Sequence, residues 1–81
     1  MSDKDTILKI MLTNKNKRIW TAKDFQKDPY FVGYEATARM SELLNQYPDL
    51  FEVGKEGKFR TLAINWNYED IQEMVKCYAE M

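Results

Sequence analysis

Between Gly33 and Tyr47 the chain reads as one amphipathic helix, and a β-hairpin follows it almost at once. Projected at about 100° per residue, Ala36, Met40, Leu43, Leu44 and Tyr47 fall on one face. The opposite face carries Glu35, Ala38, Glu42 and Asn45, with Tyr34, Arg39, Ser41 and Gln46 on its flanks. Pro48 stops the run near Tyr47, because proline removes a donor and clashes with the preceding turn. Phe51–Val53 and Phe59–Ile64, rich in aromatic and β-branched residues, then read as two strands. Gly54-Lys55-Glu56-Gly57 between them is the expected turn, so the hairpin ends in glycine and lysine.

The remaining segments fit around that unit. Ile7, Ile10 and Met11 recur at helical spacing, widened by Leu8 and Leu12, and predict a first helix from a cap at Asp5 or Thr6 to Thr13. Asn14-Lys15-Asn16-Lys17-Arg18 is a polar break, and Arg18-Ile19-Trp20 reads as a very short strand. Thr21-Ala22-Lys23-Asp24 has the form of a capping box. The helix it opens is short, since Asp28 precedes Pro29 and is pushed out of the helical region. Ala22 and Phe25 face its core side, and Pro29–Gly33 is an apolar connector packed down on the domain, with Gly33 as cap for the next helix. Asn67 caps a last helix whose apolar positions are Tyr68, Ile71, Met74 or Val75, and Tyr78. The predicted order is helix, short strand, helix, helix, strand, strand, helix, in a single domain over residues 1–81 with a core unit at 6–64 and a C-terminal helix at 67–80.

Composition narrows the function classes. Apolar residues make up 44% of the 81 positions, which supplies a core for a domain this small. There is no histidine and one cysteine, Cys77, so the usual zinc sets and the commonest general base are missing. The chain reads as a non-enzyme with no cofactor and no metal. Cys77 is read as a partly buried residue near a helix end. With no pair to oxidise and no secretory leader pattern, the expected location is the cytoplasm, a reducing intracellular compartment. No apolar stretch approaches the ~20 residues of a membrane span.

Net charge is −1, but it is unevenly placed. From Lys4 to Arg60 there are eleven basic and eight acidic residues, whereas from Thr61 onward Lys76 stands alone against Glu69, Asp70, Glu73 and Glu80. Lys55, Lys58 and Arg60 cluster on the hairpin with Glu56 opposing them. Lys15, Lys17, Arg18 and Lys23 would extend this to a seven-cation footprint if the fold gathers them. Trp20, Trp66 and the other aromatics read as core rather than as base-stacking groups.

The order of elements, with Ala36-Thr37-Ala38-Arg39-Met40-Ser41-Glu42-Leu43-Leu44 and the hairpin after it, resembles the winged helix-turn-helix superfamily. It is closest in appearance to small winged-helix proteins of phage or prophage type, over roughly Thr6 to Ile64. The resemblance implies an α+β fold, mainly α with a small antiparallel wing. It makes Gly33–Tyr47 the recognition helix and Gly54–Lys58 the wing tip. It also implies double-stranded DNA as partner, in transcription or as a replication accessory. Arg39, Ser41, Asn45 and Tyr34 could contact base edges, and Lys15, Lys17, Arg18, Lys23, Lys55, Lys58 and Arg60 phosphates. The helix departs from a basic recognition helix in carrying Glu35 and Glu42, and the connector before it is longer than a 3–4-residue turn. The alternative is an adaptor that binds a protein through the mixed-charge helix face. The last helix offers two readings, packing on the first helix or a homodimer contact through Tyr68, Ile71, Val75 and Tyr78.

Overall fold

The computed structural model describes residues 3–27, 30–33 and 35–80. The stop ascribed to Pro29 and the base contact ascribed to Tyr34 lie outside the described residues. Three helices and an antiparallel hairpin follow in the expected order: α1 (Asp3–Thr13), a 3-10 turn (Ala22–Phe25), α2 (Ala36–Gln46), β1 (Phe51–Glu56), β2 (Phe59–Ile64) and α3 (Ile71–Ala79). Among the described residues no helix is long and apolar enough to cross a membrane.

α1 begins earlier than its apolar spacing suggested. Asp5 and Thr6 lie inside it rather than capping it, and Asp3 and Asp5 place negative charge where the helix dipole favours it. At its other end Asn14 Nδ2 donates to the Ile10 carbonyl at 2.7 Å and Thr13 Oγ1 to that of Lys9 at 2.8 Å. Side chains thus take up carbonyls that the helix leaves unpaired.

The short strand at Arg18–Trp20 shrinks to a single bridge. Trp20 and Leu62 exchange both backbone bonds at 2.8 Å, so Trp20 forms a third rung beside β2 without a strand of its own. The indole lies stacked on Phe25, with centroids 5.1 Å apart and planes 9° apart, and meets Tyr30 edge-on at 5.5 Å. Asp24 Oδ2 accepts the Thr21 N–H at 2.8 Å, the backward reach of a capping box. What it caps is only one 3-10 turn. The connector then folds back as expected: the N–H groups of Val32 and Gly33 share the Phe25 carbonyl at 2.7 and 3.4 Å.

α2 starts at Ala36 with Glu35 as N-cap, so Gly33 is not its cap. The Glu35 carbonyl accepts the Arg39 N–H at 3.2 Å, the first bond of the helix. Its apolar face is as predicted, with Ala36, Met40 and Leu43 buried and Leu44 and Tyr47 half-buried. These side chains meet Ile7, Leu8, Met11 and Leu12 of α1, Trp20, Phe25, and Leu50, Phe51, Leu62 and Ile64 of the hairpin base in one core.

The hairpin is longer and its turn tighter than expected. β1 runs on through Gly54, Lys55 and Glu56, which pair with Thr61, Arg60 and Phe59. Only Gly57 and Lys58 remain in the turn. Gly57 has φ of 63° and Lys58 does not have a positive φ, the pattern of the II′ turn that matches strand twist in two-residue hairpins. The hairpin tip is therefore Gly57–Lys58 rather than Gly54–Lys58.

α3 starts three residues later than an Asn67 cap would place it. Asn65 takes the Asn67 N–H on its side-chain oxygen at 3.1 Å and the Tyr68 N–H on its carbonyl at 2.9 Å, so turns carry the chain to Asp70, the true N-cap. α3 packs on α1, and Tyr68, Ile71, Met74, Val75 and Tyr78 lie half-buried against the core. The Tyr78 phenol is hydrogen-bonded to Tyr47 at the end of α2; burial, before that bond, raises its pKa. Cys77 is exposed rather than partly buried.

Candidate nucleic-acid interface

Antiparallel partners present their side chains on one face of the ladder, so Lys55 and Arg60 share a face with Val53, Leu62, Phe51 and Ile64. Leu62 and Ile64 are buried in the core, which turns this face toward the helices. Near the tip the same face carries cations. Arg60 Nη1 donates to Ser41 Oγ at 3.3 Å and ties the hairpin to the side of α2.

On that side of α2, Thr37 and Ser41 line a cleft with Lys23 and Gln26 from the 3-10 turn and with Lys58 and Phe59 from the hairpin. Thr37, Ser41 and Asn45 are four residues apart and form one uncharged, hydroxyl- and amide-bearing stripe. Glu35 and Glu42 border this stripe on the face of Ala38 and Asn45. Glu42 Oε1 accepts from Arg39 Nη2 at 3.0 Å, so that carboxylate is neutralised within its own helix. Glu35 is exposed.

Phe59 is the pivot of the cleft. It is 40% exposed, and Lys23 Nζ lies 4.0 Å above its ring while Lys58 Nζ approaches to 5.8 Å. Cations over an aromatic face are attracted by its quadrupole, which draws both lysines to this ring. Lys17 and Lys27 line the adjoining groove with Lys23 and Lys58. Lys17 is paired with Asp24 at 3.5 Å. Lys17 and Arg39 are held in ion pairs, whereas Lys23 and Lys58 face the Phe59 ring and Arg60 meets only the neutral Ser41 hydroxyl in this cleft.

The expected contact residues therefore divide. Lys17, Lys23, Ser41, Lys58 and Arg60 converge around the hairpin and the 3-10 turn, with Lys55 opposite Arg60 and Asn45 exposed on α2. Arg39 is turned to Glu42 instead. Lys15 and Arg18 line a separate groove with Trp66, where Lys15 Nζ stands 5.4 Å from the indole centroid. Trp66 is only half-buried, so of the two tryptophans Trp20 alone sits fully in the core. Phe59 and Thr37 in the cleft, and Lys27 in the adjoining groove, are residues that sequence reading did not single out. The signal for Phe59 was its place beside Lys58, but its outward position depends on the tight turn at Gly57.

Comparison with protein-family models, with curated proteins and with solved structures gives no match. The functional reading therefore rests on the chemistry of this surface.

Proposed function

We propose that this chain is a winged-helix protein that binds double-stranded DNA without catalysis, as an accessory factor of phage-like type in transcription or replication. α2 is its reading helix and the β1–β2 hairpin its wing. The observation that carries this reading is the Arg60–Ser41 contact at 3.3 Å. It joins the cationic hairpin to the neutral polar stripe of α2, so phosphate-binding and base-reading groups border one cleft. Lys23, Lys58, Arg60 and Lys55 neutralise phosphates, and Thr37, Ser41 and Asn45 offer donors and acceptors to base edges in the groove. The Ala38 methyl, exposed beside them, suits the methyl of a thymine.

Fluorescence anisotropy of random and selected duplexes across a salt series tests this. With about five phosphates contacted, log K falls against log salt with a slope near −4 to −5. Lys58→Glu together with Arg60→Glu abolishes binding, while Arg39→Glu, which frees the Glu42 carboxylate and adds a second, weakens it less. Absence of binding at about 50 mM salt would overturn the DNA reading. Capture of a protein partner that is lost in Arg39→Glu and kept in the hairpin variants would put an adaptor in its place.

A further inference from the structure

The outer face of the sheet carries a second surface, which meets the α2 cleft at Lys23, Lys58 and Phe59 and otherwise lies outside the duplex reading. Trp20 pairs with Leu62 and is buried, so its neighbour Ile19 points the opposite way and is 53% exposed. Two open grooves meet at Ile19. One leads to Trp66 past Lys15, Arg18, Asn65 and Asn67; the other leads to Phe59 past Lys17, Lys23 and Lys58. An aromatic ring thus stands at each end of a path about 20 Å long, taking ~3.3 Å per residue along β2 and its extension.

The charge along this path is one-sided. Six cations line the two grooves against three carboxylates, and setting aside the Lys17–Asp24 pair leaves five against two. Both rings carry lysines over them: Lys15 at Trp66, and Lys23 and Lys58 at Phe59. Cations that track a backbone, interleaved with aromatic faces on which bases stack, are the chemistry of single-strand binding. A duplex keeps its bases paired and inside, and offers no base face to such rings.

We propose that this outer face, from Trp66 over Ile19 to Phe59, binds single-stranded nucleic acid of a few nucleotides. Trp66 stacks on a base at one end, Lys15 and Arg18 hold the phosphates beside it, and Asn67 offers its amide group to the base edge. The surface is distinct from the α2 cleft and does not depend on the duplex reading, although Lys23, Lys58 and Phe59 border both.

The probe is oligothymidine of about twelve nucleotides added to the full chain at about 50 mM salt, read by intrinsic fluorescence and by anisotropy. Trp20 is 1% exposed, so quenching reports on Trp66. Oligothymidine is expected to quench the emission, and Trp66→Phe to abolish the quench while anisotropy still detects binding. Lys15→Glu with Arg18→Glu, both at exposed positions, weakens oligothymidine binding about ten-fold and leaves duplex affinity within about two-fold. The proposal is overturned by absence of binding, by quenching that survives Trp66→Phe, or by a double variant that binds like the unaltered chain. Equal loss of duplex and single strand in the double variant overturns it as well. Failure of the duplex arm with the quench intact refutes the reading of the α2 cleft and upholds this one.

Discussion

Lys55 and Arg60 stand directly opposite each other in the β1–β2 ladder, two cations on one face of a narrow hairpin. Like charges at opposed positions destabilise an antiparallel pair, by a fraction of the 0.2–1 kcal/mol that an opposite pair contributes. Arg60 finds a neutral acceptor in Ser41. A phosphate placed between the two would turn this repulsion into binding energy. Lys55→Glu is therefore expected to stabilise the protein by about 0.5 kcal/mol and raise its thermal midpoint, while weakening duplex binding. Lys55→Gln separates the effects: it relieves the repulsion and reduces the salt slope by about one contact. Melting curves and anisotropy on the same preparations check both. A less stable Lys55→Glu protein would show that the opposition carries no strain.

Gly57 sets the hairpin tip. Its φ of 63° is costly for a side chain, although a Cβ there would meet nothing within 4 Å. The penalty is thus one of backbone conformation alone. Gly57→Ala should cost about 1–2 kcal/mol, and Gly57→Asn a similar amount, since the first central position of a II′ turn combines positive φ with negative ψ, outside the left-handed region that asparagine tolerates. Urea denaturation of the three proteins measures the losses. A clearly smaller loss for asparagine would point to a left-handed conformation and so to a turn other than II′.

How far the fold could be read from the sequence depended on which force set each feature. The apolar face of α2 was legible because Ala36, Met40 and Leu43 repeat at helical spacing and all three are buried. Its stop was legible because Pro48 forbids continuation. Starts were less so. Glu35 displaced Gly33 as cap of α2, and Asn65 delayed α3 to Asp70, because local side-chain bonds compete with the helix on equal terms. The hairpin register was open for a related reason: Gly54 and Gly57 both signal a turn, and only strand pairing decides between them.

The candidate site was less legible than the fold. The hairpin lysines were visible in sequence, and so was the polar stripe of α2. That Lys15 and Arg18 would part from Lys17 and Lys23 was not visible. Trp20 is pinned to Leu62, and the irregular segment before it carries Lys15 and Arg18 toward Trp66 while Lys17 pairs with Asp24. The Arg39–Glu42 pair at i,i+3 was available in sequence and removes one expected contact from the cleft.

Gly54 shows why a glycine stands inside a strand. A Cβ there would lie 2.9 Å from Thr61 Oγ1, its cross-strand partner, and Thr61 is 7% exposed. Gly54→Ala must therefore push the threonine side chain out of its rotamer in a buried position, at a cost of about 1 kcal/mol. Thr61→Ala removes the colliding oxygen. The double variant should recover part of the loss, so the two substitutions couple by about 0.5 kcal/mol or more in a double-mutant cycle. Simple additivity in urea midpoints would mean that the strand, not Thr61, yields to the new methyl.

Tyr78 predicts an alkaline limit to stability. Its phenol is half-buried against the core and bonded to Tyr47, and negative charge at Tyr47, Asp5 and Cys77 adds to the burial that raises its pKa above the usual ~10. Above about pH 10 an unfolded chain releases the Tyr78 proton while the folded chain retains it. The unfolded state then binds fewer protons than the folded one, so stability falls as pH rises. Below pH ~10 the contribution is fully present, and it declines from there until the folded phenol itself ionises. Tyr78→Phe keeps the ring in its packing against α1 and cannot ionise. Its urea midpoint should be lower than that of the unaltered protein at pH 8, by the loss of one phenol bond, and should decline less between about pH 9.5 and 11.5. Parallel curves for the two proteins across that interval would exclude Tyr78 as the source of alkaline sensitivity.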